Sequence, residues 1–277
     1  MRRLPASPSR TQSNNEFEPV LLEQFQALTA HVSAEMRDSM HYALFCTEDR
    51  YCVSAAWLVA PRLKISTARL KNAACAVETL RCSLALKTGS NFGSGKYVEP
   101  AIAEAAVFGL MPLAFEMLLA ADSALSDSER CALARLLARS ASPVELLEAI
   151  HRENKMSRDG YRHSFSHQEL QEVRLAKVSP AFQAAGEMLA LLSGDASKAP
   201  LGPWFKKLGL FAFWVDEFES EARSPLALRS VMSLPESMDL VKSLEAELLE
   251  RARELGIRDA AHELIEPLAD VLKTRLQ

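Results

Sequence analysis

Apolar residues recur every three to four positions from Glu16 almost to the end of the chain. Val20, Leu21, Leu22, Phe25, Leu28 and Val32 set that interval, which is the spacing of one buried helical face. Residues 34–45 continue it into the charged stretch 47–50 (TEDR), and residues 53–59 are apolar up to Pro61, which stops them. Residues 67–86 read as a long Ala-rich helix, with Asn72 and Arg81 interrupting an otherwise small-residue face. A Gly-rich loop follows at 88–95 (TGSNFGSG), and residues 99–121 are helical again with a kink expected at Pro112.

The second half keeps the same period. Ser126, Asp127 and Ser128 offer N-caps for a helix over 129–138, and Pro143 opens the next at its first position, running through Val144, Leu147 and Ile150. Residues 155–167 are polar and read as a loop. Residues 169–192 are helical despite Pro180 and close at Gly194. Three more helices are expected over 206–221, 235–255 and 260–276. No stretch alternates with period two, and the one Asp-Gly pair, at 159–160, lies in the polar loop. The pattern predicts an all-α, single-domain protein over 16–277, with about ten helices and no fixed repeat.

Composition narrows the class. A chain of 277 residues with 48% hydrophobic content can bury a large core. Its net charge of −4 and the lack of a basic stripe with interleaved aromatics argue against nucleic acid as a partner. No apolar run approaches the ~18 residues that a membrane span requires. The five cysteines (Cys46, Cys52, Cys75, Cys82, Cys131) follow no metal-ligand spacing. They read as reduced, mostly buried thiols of a cytoplasmic protein. Residues 1–15 hold Arg and Ser but no acid before Glu16, and read as a disordered tail.

The chemistry concentrates at residues 208–220 (LGLFAFWVDEFES). There an apolar helix ends in Asp216, Glu217 and Glu219, with Asp216, Glu219 and Ser220 on one face. This is either a solvated helix end or the remnant of a site where carboxylates one turn apart hold Mg²⁺ against a phosphorylated substrate. Other candidates are poorer. Residues 89–96 (GSNFGSGK) lack the Lys-Ser/Thr end of a phosphate loop, because Tyr97 follows Lys96, and no strand precedes them. His163 and His167 stand four apart, but Ser164 replaces the Glu of a zinc-protease motif. Cys75 and Cys82 share a helix face as small hydrophobes.

Taken in order, the segments resemble the trans-isoprenyl diphosphate synthase (polyprenyl synthetase) family along nearly the whole chain after residue 20. Residues 39–46 (SMHYALFC) are similar to the helix leading into that family's GGKRLRP turn, and 73–81 (AACAVETLR) to its AAxAxExxH helix. Residues 113–120 (LAFEMLLA) resemble LAFExLA, and 175–178 (LAKV) are placed like the Lys-Thr pair. Residues 208–220 are placed like LGLAFQIxDDILD, and 268–275 (LADVLKTR) resemble the C-terminal LAxxxxxR. The resemblance implies an all-α bundle of the isoprenoid (terpenoid) synthase type.

What it implies for chemistry is mixed. Those enzymes hold Mg²⁺ and an allylic diphosphate between two aspartate-rich motifs and ionise the substrate. Here the first DDxxD falls on residues 87–92 (KTGSNF), which hold no carboxylate, and the following Arg-Arg-Gly falls on 93–95 (GSG). In the GGKRLRP turn the Lys becomes Asp49, the first Arg survives as Arg50, and the second becomes Cys52; the His of the next helix becomes Arg81. Arg50, Lys96 and Lys177 are the diphosphate-binding residues the resemblance still offers, with Asp216, Glu217 and Glu219 as the Mg²⁺ ligands. The class I terpene cyclase pattern (N/D)DxxSxxxE fares no better, because its final Glu falls on Ser224.

With losses spread over both substrate sites, the expectation is a non-catalytic, isoprenyl-diphosphate-synthase-like pseudoenzyme or regulatory subunit. It would have no catalytic residue and no cofactor, and would form a homodimer or a heterodimer with an active isoprenyl diphosphate synthase. The alternatives are an active Mg-dependent prenyltransferase or terpene-synthase-like enzyme with an atypical site, and a protein that holds an isoprenoid or other lipid ligand.

Overall fold

The computed structural model describes residues 8–45, 50–88, 100–120, 124–159, 166–219 and 228–274. Every regular element among them is helical. In chain order they are α1 (Pro8–Leu28), α2 (Ala34–Phe45), α3 (Tyr51–Val59), α4 (Thr67–Thr88), α5 (Pro100–Leu119), α6 (Asp127–Ser140), α7 (Pro143–Asp159), α8 (His167–Ser193), α9 (Leu201–Glu219), α10 (Leu228–Val231), α11 (Leu234–Glu254) and α12 (Arg258–Thr274). Short 3₁₀ turns at Ala60–Leu63 and Ala196–Lys198 follow α3 and α8.

Local chemistry sets the boundaries. Ser126, Ser166 and Ser233 each cap a helix and take part in a reciprocal box with Glu129, Glu169 and Glu236. Each box satisfies two backbone N–H groups that the first turn would otherwise leave open. Gly194, at φ 67°, terminates α8 in the left-handed conformation that Gly adopts without strain. Pro112 and Pro180 lie inside α5 and α8, which continue through them.

Two packed pairs form the frame. α4 lies along α5 and α8 along α9, while α4 also packs on α8 and α3 touches both. α3 is buried on nearly all sides, as its run of apolar residues requires. The α8–α9 contact is close because two positions lack a side chain. A Cβ on Gly209 would come within 2.7 Å of the Phe182 ring, and one on Gly186 within 2.3 Å of the Leu201 carbonyl oxygen. Phe205, Phe211 and Trp214 of α9 are fully buried beside this seam.

Three boundaries differ from those expected. The tail expected over 1–15 is overtaken by α1, which starts at Pro8. Phe17, Leu21 and Phe25 bury one face of that helix, and Asn14 and Glu16 hold it to α3 by accepting from the Ser54 hydroxyl and the Trp57 indole N–H. The polar loop expected from 155 belongs to α7 as far as Asp159. α9 begins at Leu201, because Trp204 and Phe205 are core residues. Among the described residues no helix is long and apolar enough to cross a membrane.

Candidate functional site

Two clusters of charge hold Arg50 and Lys177, the described cations that the sequence singled out. The first joins the start of α3 to α4. Glu78, fully buried, accepts from Arg50 Nη1 at 3.0 Å and from Arg81 Nε and Nη2 at 2.9 and 2.8 Å. Arg81 follows Glu78 by three residues on α4, so helical geometry puts them on one face. Arg50 is 2% exposed, donates from Nη2 to the Leu44 carbonyl at 3.1 Å and lies 5.1 Å over the Phe45 ring. Burial on its own would push the Glu78 carboxyl up, but Arg81 and then Arg50 hold it below the ordinary carboxylate range. Cys52 sits beside the cluster with its Sγ 3.6 Å from the Ala181 carbonyl oxygen, and burial drives its thiol pKa far upward.

The second cluster joins α7, α8 and α9. Glu153 of α7 accepts from Arg174 Nη1 through one oxygen and from Lys177 Nζ through the other, each at 2.6 Å. The side chains of Glu153, Arg174 and Lys177 are 15%, 9% and 10% exposed. Arg174 lies 4.9 Å over the Phe213 ring. Its charge also reaches Glu217, whose carboxylate accepts from the Leu228 backbone N–H at 3.0 Å. Burial raises the Glu217 pKa, Leu228 and Arg174 oppose the rise, and neighbouring Asp216 adds to it.

Arg50 and Lys177 are thus in different clusters, each already held by a protein carboxylate. Asp216 and Glu217 are half-buried on the last turns of α9, with Glu217 within the field of Arg174 of α8. Lys96 lies outside the described residues, as do residues 89–92 and the side chains of Lys87, Thr88 and Glu219. His163 is also outside, while His167 opens α8. Of the cysteines, Cys52, Cys75 and Cys82 are buried and Cys131 is exposed; Cys46 lies outside the described residues. The sequence reading missed Glu153 and Arg174. Arg174 stands three residues before Lys177, a spacing that puts both cations on one face of α8.

A Mg²⁺ ion calls for several oxygen ligands in near-octahedral order. Among the described residues no three His, Cys, Asp or Glu side chains gather in a way that could hold a metal ion. Asp216 and Glu217 are adjacent in sequence, which splays them around the helix, and Glu217 is engaged by a backbone N–H. Mg²⁺ takes one or two carboxylates beside phosphate and water, and Glu219, the third carboxylate expected here, has its side chain outside the described residues. A cleft of about 390 Å³, lined by Pro203, Trp204, Lys207, Glu247 and Arg251 among others, lies at the start of α9, the opposite end from Asp216.

The chain superposes along its length on solved isoprenoid-forming enzymes. A geranyltransferase from Legionella pneumophila matches with a TM-score of 0.78 and 18% identity, over 96% of this chain and 98% of that one. A geranyltranstransferase from Thermotoga maritima matches at 0.73 and 16%, over 94% and 99%. A geranylgeranyl pyrophosphate synthetase from the archaeon Geoglobus acetivorans matches at 0.73 and 15%, over 96% and 99%. The fold is that of the isoprenoid synthases. No protein-family model and no curated protein matches the sequence. At such identities the likeness speaks for the isoprenoid-synthase architecture, and function must be argued from the residues.

Proposed function

We propose that this chain is a non-catalytic member of the isoprenoid-synthase fold, a cytoplasmic pseudoenzyme or regulatory subunit. It would act by helix-mediated association with itself or with an active isoprenyl diphosphate synthase. One observation carries the reading. Arg50 and Lys177, two of the three cations that the sequence resemblance assigns to diphosphate, are each paired with a carboxylate of the chain itself, Glu78 and Glu153, which also serve Arg81 and Arg174. Loss of the first aspartate-rich motif at 87–92 points the same way, because ionising a prenyl diphosphate depends on metal-stabilised departure of the leaving group.

The test is a prenyl-transfer assay on the purified chain with dimethylallyl, geranyl and farnesyl diphosphates. Each is run with and without isopentenyl diphosphate and Mg²⁺, beside an Asp216→Ala control. No product is expected. Product lost in the control would overturn the reading in favour of an active enzyme working through Asp216, Glu217 and Glu219. Retention of a prenyl diphosphate or another lipid without turnover would favour a binding protein.

A further inference from the structure

A second cleft, of about 310 Å³, opens where α1, α3, the start of α4 and α12 meet. Trp57, Pro61, Ile65 and Leu70 give it an apolar wall, while Ser13 and Glu16 of α1 and Glu263 of α12 bring oxygen to it from the two ends of the chain. We propose that this cleft binds a small primary alkylamine, taken as its ammonium ion. None of the residues that the family resemblance assigns to diphosphate or Mg²⁺ lines it.

The charge of the lining sets the sign of the ligand. The described residues around the cleft include two carboxylates and no Lys, Arg or His. Arg62, next to the lining residue Pro61, is turned to Asp259 at 3.8 Å. Glu263 is half-buried and makes no hydrogen bond or ion pair among the described residues. A carboxylate held partly out of water without a cation gains from one that arrives.

A buried hydroxyl points to the same ligand. Ser13 is 5% exposed, and its hydroxyl has no hydrogen-bond partner among the described residues. Buried polar groups are ordinarily paired, so this one is left for whatever fills the cleft. A primary ammonium has three N–H donors and no acceptor. Glu16, Glu263 and the Ser13 hydroxyl offer it one acceptor each.

The wall accounts for the alkyl body. Small-molecule sites start at about 300 Å³ and are mostly apolar with a few polar groups. Trp57 packs edge-on against Phe17 with ring centroids 5.4 Å apart, and its indole N–H donates to Glu16 at 3.3 Å. Wall and carboxylate are thereby fixed to each other before any ligand enters. A bare metal ion would leave that wall unused.

The experiment is a calorimetric titration of n-hexylamine into the full chain at pH 7, beside 1-hexanol and hexanoate. These keep the six carbons and replace the ammonium with a neutral or an anionic head. Hexylamine should bind at least tenfold more tightly than hexanol, and hexanoate should not bind. Glu263→Gln should weaken hexylamine about tenfold, the worth of one charged hydrogen bond, and leave hexanol unchanged. Ser13→Ala should cost about threefold. Asp239→Asn removes the same charge from an exposed position on α11 and should change nothing. No binding of hexylamine, equal binding of hexanol, or an affinity that Glu263→Gln leaves unchanged would overturn the proposal. An equal loss in Asp239→Asn and Glu263→Gln would overturn it too, by reducing the effect to general attraction toward an acidic protein. The hexanol and hexanoate arms use the wild-type chain, so they decide the matter even if a variant does not fold.

Discussion

The two charge clusters share a plan and differ in their access to water. Each has one carboxylate hydrogen-bonded to two cations, with Glu18 also 3.8 Å from Arg50 in the inner one, and each includes a residue that the family resemblance assigns to diphosphate. In the inner cluster Glu78 is fully buried, Arg50 almost so, and Arg81 is 8% exposed. In the outer one Glu153, Arg174 and Lys177 keep between 9% and 15% exposure. That difference decides what the shared plan can do. Breaking a sealed ion pair leaves a charge stranded in a medium that solvates it poorly, so the inner cluster ties α3 to α4 as a fixed structural knot. At the outer cluster water can take over part of the solvation, so loss of one partner strands less charge. The same residue types are reused at two depths.

The comparison breaks if the two carboxylates cost the same to remove. Glu78→Ala should destabilise the fold by about 3–5 kcal/mol, the range for breaking a buried pair from one side. Glu153→Ala should cost about 1.5–3 kcal/mol, in keeping with charged hydrogen bonds near the surface. Urea unfolding of both variants beside wild type is the check, and equal values would mean that depth is not what separates the clusters.

Acid sharpens the contrast. The folded pKa of Glu78 is depressed, so its contribution is fully present above the carboxylate's unfolded pKa and is lost as pH falls through the lower folded value. Glu217 has the opposite sign. Its pKa is raised, so its contribution is present below the unfolded value and is lost as pH rises through the folded one. A stability–pH profile of Glu78→Gln should therefore lack part of the acid-side fall seen in wild type. That of Glu217→Gln should lack the loss on the rising limb.

Thiol chemistry probes the seal itself. Cys52, against the inner cluster, is fully buried with its thiol pKa pushed far up, whereas Cys131 is exposed on α6. Alkylation of the native chain should modify Cys131 and spare Cys52 until urea opens the fold. Early labelling of Cys52 would show that the inner cluster is not closed. The smallest effect is expected at the start of α8. Ser166→Ala removes the cap of α8 and should cost about 1 kcal/mol, read in the same urea series.

Much of the architecture was legible in the sequence because it is written locally. The apolar period of three to four, Pro143 at a helix start, Ser126 ahead of Glu129 and Gly194 at a helix end all act within a few residues, and the structure places helices accordingly. The order of the segments carried the isoprenoid-synthase resemblance, which the superpositions match in fold. The errors have non-local causes. The start of α1 lacks an apolar period of its own and is held by contacts from Asn14 and Glu16 to α3, which no neighbouring residue announces. The partners of the site residues were less legible for the same reason. Arg81 is one helical turn from Glu78 and could be read as its neighbour. Glu153 and Lys177 are on different helices, and in sequence Glu153 is one more charge in a polar stretch.

The measurement closest to the central claim is ³¹P NMR of the wild-type chain with geranyl or farnesyl diphosphate, isopentenyl diphosphate and Mg²⁺, followed for release of inorganic diphosphate. If the cations of this fold are committed to Glu78 and Glu153 and the first aspartate-rich motif is gone, release should not exceed that of a protein-free sample. Steady release that disappears in Asp216→Ala would contradict the account and make the chain an enzyme.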